Sequence, residues 1–181
     1  MTSTLNDLAK RIYGGNVERG FHEEGDAVRT RIADFEAFIK RDRDTQFVSP
    51  DTLAEDRRQL GAEYANYATK RIALIVTEAA EAIEELRKGR APGEAYHQIN
   101  GLDVVRPFPN LGDGVDWVAP LTDDTWTGVE AKPEGVPSEL ADILIRTLDV
   151  MVEFGIDPEA IVEEKLTYNA TRGRMHGGKA F

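Results

Sequence analysis

The chain has no cysteine, which excludes disulfides and thiolate metal sites and fits a reducing compartment. It has no apolar run near the roughly 20 residues that a membrane-spanning helix needs. The opening MTSTLNDLAKR lacks the apolar core of a signal peptide, so a soluble, cytoplasmic protein is expected. Positive charge is scarce: 22 Lys and Arg stand against 33 Asp and Glu, a formal net charge of −11. That balance argues against a duplex nucleic-acid binder, whose phosphate contacts need clustered Lys and Arg. A small phosphate ligand stays open, because a bound divalent cation reverses the local field. Internal repeats and low-complexity tracts are also missing. What remains is 181 residues, 41% hydrophobic and 30% charged, enough for one domain with a real core and an attached excursion.

Two stretches organise the chain. In 70–90, KRIALIVTEAAEAIEELRKGR, the residues Ile72, Ile75, Val76, Ala79, Ile83 and Leu86 recur at helical spacing, so one side is expected to face a core. Glu78, Glu81 and Glu85 stack beside that stripe, which places carboxylates at a core margin. In 137–154, PSELADILIRTLDVMVEF, apolar residues cover most of the circumference, so this helix is expected to be mostly enclosed. Its one polar stripe is Glu139, Asp142, Arg146, Asp149 and Glu153. The two helices therefore offer ExxE (Glu78, Glu81) and ExxD (Glu139, Asp142).

Elsewhere, Leu5 to Ile12 reads as a short helix with Thr4 or Asn6 near its start, ended by Gly14-Gly15. Asp26 to Arg41 carries Val28, Ile32, Phe35, Phe38 and Ile39 in helical register. Ser49-Pro50-Asp51 is a start signal for a helix that runs toward Gly89, with Gly61 marking either a bend or a break. Between Gly89 and Pro137 the helical period disappears. Within that insertion, VDWVA (115–119) and TWTGVEA (125–131) have room to form a small hairpin. Trp117 and Trp126 there are open to base stacking or to local packing. Phe154-Gly155 is a stop, and Asp157-Pro158 is an N-cap with proline at the first helical position of a last helix that ends at Gly173. The tail RMHGGKAF is basic and glycine-rich.

Mg²⁺ takes hard oxygen ligands and keeps several waters, so a few carboxylates on two packed helices suit it, with substrate phosphate supplying the rest. Lys165, Asn169 and Arg172 lie along one helical side and are followed by Arg174, His176 and Lys179. Cations and an amide beside a carboxylate cluster are what a polyphosphate requires. The alternative for Asp142 is a solvated ion-pair ladder with Arg146 and Asp149.

EAAE at 78–81, ELAD at 139–142 and the closing KLTYNATRGRMHGGKAF resemble the MazG-like, all-α nucleoside triphosphate pyrophosphohydrolases, notably their phage-type branch. The resemblance covers 70–90 and 134–181. It implies an all-α fold: a four-to-five-helix bundle of the all-α NTP pyrophosphatase type, with a long irregular insertion at about 91–136. It further implies a single domain with an N-terminal helical extension (1–60), metal helices at about 62–89 and 137–154, and a C-terminal helix and tail (157–181). Glu78, Glu81, Glu139 and Asp142 would then be Mg²⁺ ligands, with Mn²⁺ a substitute. Lys165, Asn169 and Arg172, with Arg174 and Lys179, would contact the triphosphate or sugar. Phe21 holds the family position for base contact. The implied reaction is hydrolysis of an NTP or dNTP between the α and β phosphates. Glu81 is the expected general base, although spacing does not separate it from Glu78. Family members are homodimers or homotetramers. The long insertion and the added upstream helices depart from the family pattern. The alternatives are a phosphoribosyl-ATP or dUTP/dCTP-type pyrophosphohydrolase on the same helices, or a non-catalytic helical dimerisation or nucleotide-binding module.

Overall fold

A computed structural model describes residues 4–42, 48–99, 102–106 and 132–172. Five helices and one small sheet make up these residues, an all-α fold with a β insertion: α1 (Leu5–Glu18), α2 (Glu23–Asp42), α3 (Pro50–Arg87), β1 (Ala95–Ile99), β2 (Leu102–Arg106), β3 (Lys132–Glu134), α4 (Val136–Glu153) and α5 (Pro158–Ala170). No described helix is long and apolar enough to cross a membrane. The hairpin expected in 115–131, with Trp117 and Trp126, and the tail residues Arg174, His176 and Lys179 lie outside the described residues. The chain falls into two compact units: Met1–Ile72 with Thr147–Phe181, and Ala73–Arg146. The division cuts α3 and α4 along their lengths.

In the first unit, α1 starts on a capping box. The Thr4 hydroxyl accepts from the Asp7 amide at 3.1 Å and the Asp7 carboxylate from the Thr4 amide at 3.1 Å. The helix runs on to Glu18 through Gly14 and Gly15, where the sequence had placed its end. The helix stops instead ahead of Gly20, whose φ of +79° suits a left-handed residue. Gly14 and Gly15 each cost the helix about 1 kcal/mol relative to Ala, which tertiary anchoring offsets. Asn6 bonds the Asp157 carboxylate at 2.9 Å and the Glu159 amide at 3.1 Å, tying α1 to the start of α5. There Asp157 caps the Ala160 amide and Pro158 takes the first turn, as its spacing predicts. Helix α3 is unbroken through Gly61.

In the second unit, β1 is the central strand of an antiparallel sheet ordered β2-β1-β3. Tyr96 on β1 is buried and donates to Glu85 of α3 at 3.0 Å. Burial and that bond push its phenol up to about 12. The Arg90 guanidinium sits 4.2 Å over the Tyr96 ring. Between β3 and α4 stands Gly135, with φ +96° and a position where a Cβ would collide with the Glu94 carbonyl oxygen. Only glycine fits there.

Both long helices present their sides differently from the expectation. On α3, Val76 is 66% exposed, and Ile72, Ile83 and Leu86 are exposed with it, whereas Glu78, Ala82 and Glu85 are buried. On α4, Leu140, Leu144 and Ile145 are exposed, whereas Glu139, Asp149 and Glu153 of the polar stripe are buried. Leu148 and Val150 of α4 are buried as expected, so the departure is confined to the exposed part of each apolar stripe. The buried acids are tolerated where cations or hydroxyls meet them, while none of the described residues covers the exposed apolar positions.

Candidate metal centre

The second unit brings Glu78 and Glu81 of α3 and Glu139 of α4 together. One carboxylate oxygen from each lies within 4.8 Å of the others. Glu78 and Glu81 share a side of α3 because they are three residues apart, and α4 delivers Glu139 from its first turn. That turn is fixed: the Ser138 and Glu139 amides donate to the Gly135 carbonyl at 2.9 and 3.2 Å, and the Ser138 hydroxyl donates to the Pro133 carbonyl at 3.1 Å.

The members of the cluster differ in their surroundings. Glu78 is 5% exposed and accepts a bond from Arg146 Nε. Glu81 is exposed. Glu139 is also 5% exposed and has no hydrogen-bond or ion-pair partner among the described residues. Burial, and then the charges of Glu81, Asp142, Glu134 and Glu78, push its carboxyl above the usual range. Asp142 stands outside the 4.8 Å group. Burial and the nearby Glu78 push its carboxyl up, against the pull of Arg146 and Lys132. One turn further along α3, burial raises the Glu85 carboxyl, but bonds from Lys88 and Tyr96 outweigh it and hold that group low. Glu85 is therefore a satisfied structural acid, and Glu139 is not.

Hard oxygen donors, a surplus of negative charge and a buried carboxylate with no cation fit a divalent metal such as Mg²⁺. The chain matches no family model, no curated protein and no solved structure. The chemistry of the centre is therefore read from its own residues.

The residues expected to bind substrate belong to the other unit. Lys165 lies on the exposed α5 with its Nζ 5.3 Å from the Tyr168 ring, and Asn169 and Arg172 are exposed at and just beyond the end of that helix. Phe21 is exposed in the turn between α1 and α2. Arg174 and Lys179 fall outside the described residues.

Three groups at the centre were not foreseen in the roles they take. Arg146 was grouped with Glu139 on one polar stripe and given a role only in the alternative ladder with Asp142; its bond to Glu78 was not foreseen. Lys132 and Glu134 sit in an insertion without helical period, where spacing carries no signal.

The first unit holds a second buried polar cluster that the sequence also missed. His22, 1% exposed, places Nε2 3.1 Å from Asp149 and Nδ1 3.1 Å from Glu153, the latter off hydrogen-bonding angle. Arg71 bonds both carboxylates, reaching Glu153 at 2.9 Å. The Tyr67 hydroxyl donates to Glu153, and Tyr13 packs its ring 4.5 Å from that of His22. Every carboxylate in this cluster is matched by a cation or hydroxyl donor, so it reads as a structural network rather than a ligand site.

Proposed function

We propose that this protein is a cytoplasmic, Mg²⁺-dependent nucleoside triphosphate pyrophosphohydrolase of the MazG-like kind. It cleaves an NTP or dNTP between the α and β phosphates, giving a monophosphate and pyrophosphate, and Mn²⁺ substitutes for Mg²⁺. The observation that carries this reading is the convergence of Glu78, Glu81 and Glu139 from helices distant in sequence, with Glu139 buried and unpaired. Acids kept only for solubility stay in water, because burying a charge without a partner is costly.

Glu78, Glu81 and Glu139 would hold the metal, and Asp142 adds negative charge beside them. Bound there, Mg²⁺ supplies a Lewis acid that polarises a phosphoryl oxygen and acidifies a coordinated water. Glu81 is the residue suited to take the proton of the attacking water. It is exposed and free of the ion pair that ties Glu78 to Arg146. The water oxygen bonds to phosphorus as the α–β anhydride bond breaks, and pyrophosphate leaves.

The assembly is a homodimer or homotetramer. Ile72, Val76, Ile83 and Leu86 follow alternating steps of four, seven and three along α3, a seam that a partner helix covers. Incubation with the eight common triphosphates and Mg²⁺, assaying pyrophosphate apart from orthophosphate, tests the activity. Pyrophosphate is expected from at least one substrate and is lost with a chelator or in Glu81→Ala, with far-UV dichroism unchanged. No pyrophosphate from any triphosphate with either metal would leave a non-catalytic helical dimerisation module.

A further inference from the structure

Lys132 lies on β3, in the insertion rather than on a metal helix. Its placement is not left to a loose loop. Lys132 pairs with Gln98 across the sheet, and the next residue's carbonyl receives the Ser138 hydroxyl from the first turn of α4. Gly135 closes the connection in a conformation that a side chain would block. Strand and helix therefore hold Lys132 in a fixed relation to Glu139.

Its charge lies within reach of the field of the acid cluster. Lys132 Nζ is 2.6 Å from the Glu134 carboxylate, the contact that most raises its own basicity, and it also feels Glu139 and Glu81. The side chain is 70% exposed, so its four-carbon stem is free to swing. The other cation at the cluster, Arg146, is bonded to Glu78. A divalent ion at Glu81 and Glu139 would cancel the negative field that Lys132 faces and would repel its ammonium. A phosphate chain arriving with the metal brings new anionic oxygens to the same edge.

We infer that Lys132 is a substrate-positioning cation that gives up its contact with Glu134 on metal binding and takes a non-bridging oxygen of the polyphosphate. This rests on the pyrophosphohydrolase reading above. It predicts opposite effects on two ligands. Removing the ammonium takes a like charge away from the metal and tightens Mg²⁺ without substrate, about threefold, as expected for one screened charge. The same change weakens the phosphate chain about tenfold, the lower end for a charge-assisted bond at an exposed site.

The experiment uses the full chain and calorimetric titration with Mg²⁺ alone and then with inorganic tripolyphosphate in saturating Mg²⁺. Lys132→Ala is expected to bind Mg²⁺ more tightly and tripolyphosphate more weakly than wild type, while Lys132→Arg keeps tripolyphosphate binding within about threefold. If wild type binds both ligands and Lys132→Ala binds tripolyphosphate equally well, the inference fails and the pyrophosphohydrolase reading stands. Weaker binding of both ligands by Lys132→Ala makes the residue structural and overturns the inference. A wild type that binds neither ligand removes the metal centre and the inference with it.

Discussion

Arg71 holds together two carboxylates that are almost wholly out of water, so its replacement by methionine is a direct test of the buried network. Its Nε donates to Glu153 at 2.9 Å and its guanidinium also bonds Asp149, and those side chains are 0% and 3% exposed. Methionine keeps the volume and removes the charge. Breaking a buried pair by removing one partner costs about 3–5 kcal/mol. His22 and Arg29 still face Glu153, at 3.1 and 3.4 Å, which puts the loss near the lower figure. At about 2–4 °C per kcal/mol for a chain of this size, a fall of roughly 6–12 °C at pH 7 is expected by scanning calorimetry. The pH dependence follows from Glu153. Burial acts to raise its carboxyl, but the bond from Tyr67, the close His22 ring and the charge of Arg71 outweigh it, so its folded value is depressed. A depressed carboxyl contributes stability that is present above its unfolded value and lost as pH falls through the folded one. The gap between wild type and Arg71→Met should therefore be full at pH 7 and should shrink on acidification below about 4.5. A loss under about 1 kcal/mol, within the range of an ordinary surface pair, would refute the reasoning. So would a gap that widens in acid.

The remaining predictions concern the second unit and the assembly. Millimolar Mg²⁺ should raise the melting temperature, by about 2.7 kcal/mol of stability at a hundredfold excess over Kd, and Glu139→Gln should abolish the rise; a melt that ignores Mg²⁺ counts against the centre. Gly135→Ala should destabilise by about 1–3 kcal/mol from backbone strain, with the Glu94 clash adding to it, and should weaken Mg²⁺ binding because it moves the turn that carries Glu139. Calorimetry and a metal titration read both effects, and an unchanged variant would show that the turn does not set the site. Val76→Glu, at a 66% exposed position, should leave the single chain folded and lower the mass seen in sedimentation. An unchanged mass would place the interface elsewhere.

Much of this architecture was legible in the sequence. The Asp157-Pro158 start, the Gly155 stop and the α4 boundaries follow from capping and proline chemistry, which acts over a few residues. The pairing of Glu78 with Glu81 on one side of α3 followed from helical spacing alone. The end of α1 did not, because a tie between Asn6 and α5, 151 residues away in sequence, supports a helix that its two glycines weaken. The sheet of β1, β2 and β3 was not foreseen for a related reason. β1 is held by Tyr96 reaching Glu85 and by Arg90 over its ring, and no local alternation announces such anchors.

The exposure of part of each apolar stripe was also not foreseen, and it bears on function. A hydrophobic stripe identifies residues that share a direction; it does not say whether the cover comes from the same chain or from another copy. The exposed leucines and isoleucines of α3 and α4 are not covered by the described residues. The acids have then moved inward, where each needs a partner. Asp149 and Glu153 have Arg71, Tyr67 and His22, and Glu85 has Tyr96 and Lys88. Glu78 has Arg146. Glu139 is the buried acid left without a hydrogen bond or ion pair among the described residues, and one of its oxygens lies within 4.8 Å of one from each of Glu78 and Glu81. Among the described residues each of the other buried acids is matched, and the contrast at Glu139 is what motivates the metal proposed there.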